Sequence, residues 1–142
     1  SKLGAESVRV GLPKYVAGAY TPQEQNDAEA TTAPMLKKED GHVSFDRPAK
    51  AVHDHVRGMS PWPGAFARLA GKIVKLHATR VWDTGKAGAA PGEVIHADKA
   101  RVLVACASGA VELVRVQLEG KKQVSATDWV AGRGVAVGDR FD

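Results

Sequence analysis

Five histidines, one cysteine and a pair of adjacent carboxylates are the residues of this 142-residue sequence that could carry catalysis or hold a metal. His53 and His55 stand two apart on a predicted helix, so they point to different faces. His42, His77 and His96 fall in three separate elements, and Cys106 has no second cysteine to join it. Zinc takes about four ligands converging on one point, and this spacing supplies no such set, so no metal is expected. Cys106 lies in an apolar, strand-like run and reads as a small buried hydrophobe. A lone thiol also fits a reducing compartment. Glu39-Asp40 directly precedes Gly41, which is turn chemistry before it is acid–base chemistry. No nucleotide-binding Gly pattern and no nucleophile elbow occurs. Gly85 and Gly88 lack the spacing of a phosphate cradle, so no catalytic residue is predicted.

What remains is positive charge. The net charge is +4 and unevenly placed. Residues 1–34 hold three Lys/Arg against four Asp/Glu, whereas residues 35–142 hold 17 against 12. The whole excess therefore lies in the second part, which suits a polyanionic partner. Candidate phosphate contacts are Lys37, Lys38, Arg57, Lys72, Lys75, Arg80, Lys121 and Lys122, each of which also reads as an ordinary solvated charge. Lys121-Lys122 follow Gly120 at a predicted strand end, where the loops of small barrels reach nucleic acid.

These residues need elements to position them. The run Arg57-Gly58-Met59-Ser60-Pro61-Trp62-Pro63-Gly64-Ala65-Phe66 is a corner that no helix can cross. Each proline fixes its own φ and biases the residue before it towards extended backbone. Gly58 is expected to end a helix in the left-handed conformation. Trp62 is expected to pack over the end of the following sheet, with nucleobase stacking as the alternative use of its ring. Before the corner, Phe45, Ala49, Val52, Val56 and Met59 recur at helical spacing, with Asp46 as N-cap and Pro48 in the first turn. After it come five strands, over 65–69, 72–82, 92–96, 101–106 and 110–118. Along the second, Val74, Leu76, Ala78 and Trp82 alternate with Lys75, His77 and Thr79. Along the fifth, Val114, Val116 and Leu118 share a face. Thr84–Ala90 reads as a Gly/Ala loop, and Ser125 to Asp128 as a capping box opening a helix to about Ala131. The fold class is mainly β with flanking helices: a small, OB-like antiparallel barrel of five to six strands. An SH3-like barrel has the same periodicity.

Residues 3–18 predict a helix with Leu3, Val8, Leu12, Tyr15 and Val16 roughly on one side, kinked or begun at Pro13. Residues 19–34 are polar, carry two prolines and lack a sustained apolar period, so they read as a linker. The organisation expected is a terminal helix over 1–18, the linker over 19–34 and the barrel domain over 35–142. With 44% hydrophobic and 25% charged residues the chain reads as globular, not disordered. It has no run of about 18 apolar residues, so no membrane partner is expected.

The stretch HVRGMSPWPGAF resembles the C-terminal domain of methionyl-tRNA formyltransferases. The resemblance extends to Lys38-Glu39-Asp40-Gly41 and Ala90-Pro91-Gly92-Glu93-Val94-Ile95. It continues through Leu118-Glu119-Gly120-Lys121-Lys122 to Gly138-Asp139-Arg140, and covers most of residues 30–142. It implies a formyltransferase-type barrel that helps hold initiator tRNA by its phosphates, in a cytoplasmic enzyme of translation initiation. That enzyme moves a formyl group from the co-substrate 10-formyltetrahydrofolate. Its catalytic Asn, His and Asp and its SLLP-like loop belong to a preceding domain, and no such pattern occurs here. The first helix then corresponds to the end of that catalytic domain, with this chain beginning partway through a larger protein. The resemblance favours Lys38 and Arg57 among the tRNA contacts. Met35 stands where the family often has Lys, Ser44 where it has Asp, and Asp54 where it has Asn. Two rivals remain: the accessory barrel of a formyltransferase acting on a sugar nucleotide or on formyltetrahydrofolate itself, and a protein-interaction barrel with incidental charge.

Overall fold

The computed structural model describes residues 2–82 and 88–142. The chain divides into two units, Ser1–Pro34 and Met35–Asp142. The first holds helix α1 (Lys2–Val16), which carries Pro13 within it and buries no residue. A single 3-10 turn at Asp27–Glu29 follows, capped by the Asn26 side chain, which accepts from the Ala28 N–H.

The second unit is a sheet wrapped by two helices. Its elements are α2 (Ala49–Gly58), β1 (Phe66–Leu69), β2 (Lys72–Trp82), β3 (Val94–Ala97), β4 (Val102–Ala105), β5 (Ala110–Leu118), β6 (Val124–Ser125) and α3 (Ala126–Ala131). All pairings are antiparallel, in the order β1-β2-β5-β4-β3, with β6 on β5. β6 is two residues long, too short to show a period. The edges of the path are covered by the tail. Val94 N donates to Asp139 O, Gly138 N to Val94 O and Phe141 N to Gly92 O, while Asp142 N donates to Arg68 O on β1. Residues 138–142 thereby bridge β3 to β1 and close the sheet on itself. Gly92 permits this seam, because a Cβ there would lie 2.3 Å from the Phe141 carbonyl oxygen.

The core is aliphatic and lies between α2 and the sheet. Val52 and Val56 of α2 meet Val74, Leu76, Val104, Val111, Leu113 and Val116, and Trp129 and Phe141 plug one end. Removing this apolar surface from water, at about 25 cal/mol per Å², is the main force holding the unit together.

Four local expectations are corrected. The α2 N-terminus uses no side-chain cap, because the Ala49 N–H donates to the Ser108 carbonyl at 2.9 Å; Pro48, not Asp46, is the cap residue. Gly58 stays helical, and the left-handed turn falls at Gly64 (φ 85°), whose N–H donates to Met59 O. The alternation in β2 changes phase. Bulges after Leu76 and Ala78 turn Thr79 inward, where it is buried and its hydroxyl lies 2.9 Å from His53 Nδ1. The matching slip in β5 buries Leu113 and Val116 and leaves Val114 only half-buried. Of the predicted Thr84–Ala90 loop, residues 84–87 lie outside the described residues.

Gly41 closes a 3-10 turn over Lys38–Gly41, and a Cβ on it would sit 2.2 Å from the Gly64 carbonyl oxygen. Backbone must move to admit it. Gly41→Ala is therefore expected to lower stability by roughly 1–3 kcal/mol, the usual range for overpacking. Gly58 has nothing within 4 Å of its would-be Cβ, so Gly58→Ala should be neutral or slightly stabilising. Urea midpoints at constant m-value check both.

Candidate nucleic-acid interface

The corner between α2 and β1 organises the surface. Both of its X–Pro bonds are cis, and a cleft of about 230 Å³ bounded by Val56, Pro61, Pro63, Ala65 and Leu76 lies against it. Trp62 does not pack over the sheet end and stands 56% exposed, contrary to the packing expected for it. Around it lies a shallow depression of about 240 Å³, lined by Lys38, Pro63, Gly64, Phe66, Ile73 and Lys75.

Each lysine of that depression is placed by backbone. Lys38 opens the 3-10 turn, which is fixed by the bond from Lys37 N to the Asp40 carboxylate at 2.6 Å and by the close approach of Gly41 to Gly64. Lys75 lies on the outer face of β2, opposite Phe66 of β1 and Gln117 of β5. It also borders a second depression with Gln117, Leu118, Glu119 and Gly120. Gly120 takes φ 70°, and the Gln117 side-chain amide donates to Lys121 O at 2.9 Å. His77 Nε2 lies 3.0 Å from the Gln117 Oε1. The Lys121-Lys122 loop is thus tied to the strand that faces Lys75.

The eight candidate phosphate contacts separate by electrostatics. No ion pair among the described residues involves Lys37, Lys38, Lys75, Lys121 or Lys122, and all five are exposed. Arg57 lies 3.5 Å from Asp54, which Lys50 also engages, on the solvent side of α2. Those cations hold the Asp54 carboxyl below its usual range, Lys50 foremost. Arg80 lies 3.6 Å from Glu112 across β2 and β5. It is five residues beyond Lys75, roughly 16 Å along a strand. Lys38 and Lys75 are therefore brought together, Lys37 and the Lys121-Lys122 loop flank them, and Arg57 and Arg80 are engaged elsewhere. Lys72 lines a different groove, with Arg133 and Arg140.

Ile73 is the member that sequence reasoning left out of the site, and for Trp62 nucleobase stacking stood as the alternative reading. A signal for Ile73 was present: it shares parity with Lys75 and His77, so an apolar residue had to face outward on a polar strand face.

The other chemistry-bearing residues have local roles. His53 meets Thr79, His96 Nε2 lies 3.0 Å from Asp98, and the His42 ring stands edge-on to Phe66. Among the described residues no three His, Cys, Asp or Glu gather to hold a metal, and no helix is long and apolar enough to cross a membrane. Cys106 is buried, and burial pushes its thiol up to about 11, so it carries no thiolate near neutrality. His55 of α2 is half-buried and its Nε2 has no hydrogen-bond partner among the described residues. Burial and then the Arg47 charge pull its pKa down, against the carbonyls of Asp40 and His42. It packs beside the segment that presents Lys37 and Lys38.

Residues 35–134 match the family described as formyl transferase, C-terminal domain. The chain is 44% identical over 137 residues to a methionyl-tRNA formyltransferase of Sorangium cellulosum, covering 96% of this chain and 44% of that protein. It is 41% identical over 143 residues to a methionyl-tRNA formyltransferase of Macrococcus caseolyticus, covering 100% of this chain and 45% of that protein. The chain thus spans less than half the length of these relatives. Among solved structures, HypX from Aquifex aeolicus in complex with tetrahydrofolic acid superposes with TM-score 0.63 at 21% identity, over 93% of this chain and 23% of that one. At that identity the likeness is one of fold.

His55 makes the unit sensitive to acid. Its folded pKa is depressed, so the unfolded chain takes up the proton first. Its neutral form is accommodated fully above about pH 6.5, and stability declines as the pH falls below that value. Thermal midpoints from about pH 8 to about pH 5 should fall, and His55→Gln should flatten that dependence. An equal slope in the variant would assign the loss to other groups.

Proposed function

Because the chain belongs to the formyl transferase C-terminal domain family, we propose that it is the tRNA-holding part of a methionyl-tRNA formyltransferase. The names of the relatives, at about two-fifths identity along nearly the whole chain, support that assignment over a sugar-nucleotide or formyltetrahydrofolate enzyme. The reaction proposed for the parent protein moves the formyl group of 10-formyltetrahydrofolate to the amino group of initiator methionyl-tRNA, in the cytoplasm, at the start of translation. Residues 1–18 would close a preceding catalytic domain and residues 19–34 would link it to the barrel. Helix α1 leaves Leu3, Val8, Leu12, Tyr15 and Val16 exposed, an apolar set suited to packing on such a domain.

The part assigned to residues 35–142 is electrostatic. The observation that carries it is the convergence of Lys38 and Lys75, without carboxylate partners among the described residues, on one exposed surface beside the Lys121-Lys122 loop. The curved sheet is read as OB-like, a scaffold whose strand faces and loops commonly meet nucleic acid. Lysine–phosphate contacts fix affinity and orientation and carry no base information. Lys37 extends the surface, while Arg57 and Arg80, each opposite a carboxylate, contribute less.

Affinity for tRNA should fall steeply with salt, with a log–log slope of roughly 0.7 to 0.9 per phosphate contacted. Lys38→Ala, Lys75→Ala and the Lys121→Ala/Lys122→Ala pair should each weaken binding to different tRNAs about equally and lower that slope by about one per lysine. Filter binding at several salt concentrations measures this. Binding indifferent to salt and to all four lysines would rule the surface out and favour a protein-interaction barrel.

The chain carries no match to the family's catalytic pattern, so by itself it should transfer no formyl group. Formylation of methionyl-tRNA by the purified chain at the rate of an intact enzyme would refute that.

A further inference from the structure

We infer that Trp62 is a stacking seat for one unpaired nucleobase of an RNA, with Lys38 and Lys75 placed to meet the phosphates beside it. This rests on the RNA-binding reading above and adds a kind of contact to it. The three tryptophans are treated differently by the fold. Trp129 is buried at 6% exposure, and Trp82 lies under the Arg101 guanidinium, 4.2 Å from its ring centre. Trp62 alone among them presents more than half its surface to water.

Its position is also held. Pro61 and Pro63 restrict the backbone on both sides. Gly64 N donates to Met59 O at 2.8 Å, and the Lys38–Gly41 turn abuts the Gly64 carbonyl. A backbone held in place before the ligand arrives has less freedom left to lose on binding. The surroundings select the ligand. The depression has an apolar floor from Pro63, Phe66 and Ile73, a cationic rim from Lys38 and Lys75, and no carboxylate among the described residues of its lining. An apolar protein side chain docking here would desolvate two ammonium groups without supplying a counter-charge. A nucleotide supplies both a π-face for the ring and phosphates for the rim. Paired bases in a duplex are stacked on one another and offer no free face, so the seat suits single-stranded or splayed nucleotides.

The test is a titration of the chain with a short single-stranded oligoribonucleotide and with a duplex of the same length, followed by anisotropy of labelled RNA and by tryptophan fluorescence. Loss of one stacked base through Trp62→Ala should weaken single-strand binding about 5- to 150-fold. The salt slope should be unchanged, and duplex binding should shift by less than about twofold. Trp62→Phe should keep most of the affinity, whereas Trp62→Leu, apolar but without a π-face, should lose it. That pair reads stacking even if the alanine variant folds poorly. If Trp62→Ala and Trp62→Leu bind the single strand as well as the parent chain, the stacking seat is wrong while the lysine–phosphate surface stands. If the chain binds neither RNA at any salt concentration, both readings fail and the corner becomes a protein-docking face.

Discussion

The carbonyl oxygen of Gly64 occupies the place where a side chain at residue 41 would begin. That single approach joins two stretches far apart in sequence. One is the Lys38–Gly41 turn, which ends in a bare backbone so that it can lie against the corner. The other is the corner itself, whose left-handed Gly64 turns the chain into β1. Because β1 pairs with β2 in the register that sets Phe66 opposite Lys75, the same approach brings Lys38 and Lys75 to one surface. Trp62 borders the same depression as both lysines.

How far this was legible in the sequence depended on the range of the signal. The limits of β2 and β5, the helix opened by Ser125 and the apolar face of α2 follow from period and turn chemistry, which act over a few residues. The faces of β2 and β5 do not, because two bulges shift the register. A period-two reading carried through Leu76 assigns Thr79 to solvent when it is buried against His53. The α2 cap was misread for a related reason. Asp46 is a good local cap, but the Ser108 carbonyl, distant in sequence, takes the Ala49 N–H. Trp62 was expected to pack because large aromatics usually do, yet the fold leaves its ring more than half exposed.

Charge shows the same division. Eight basic residues looked equivalent as letters. The fold opposes Arg57 with Asp54 on its own helix, a partner three positions away that spacing alone suggests. It opposes Arg80 with Glu112 on another strand, a pairing that depends on the β2–β5 register. Such exposed pairs add little stability, yet each sets a negative charge where a phosphate would otherwise bind. What distinguishes Lys38 and Lys75 from these two arginines is the lack of such a neighbour among the described residues, a property that no single stretch of sequence displays.

The seam made by residues 138–142 bears on the order in which the unit can be built. Synthesis delivers β1 to β5 well before these residues, and during that interval β1 and β3 each present unpaired backbone groups of the kind that invite pairing between chains. The sheet cannot protect both margins until Gly138, Phe141 and Asp142 have left the ribosome and laid themselves against Val94, Gly92 and Arg68. The hazard for this unit is therefore one of timing. An incomplete chain, stalled a few residues short of the seam, would carry nearly all of the core and both open edges together, the combination most prone to associate with copies of itself.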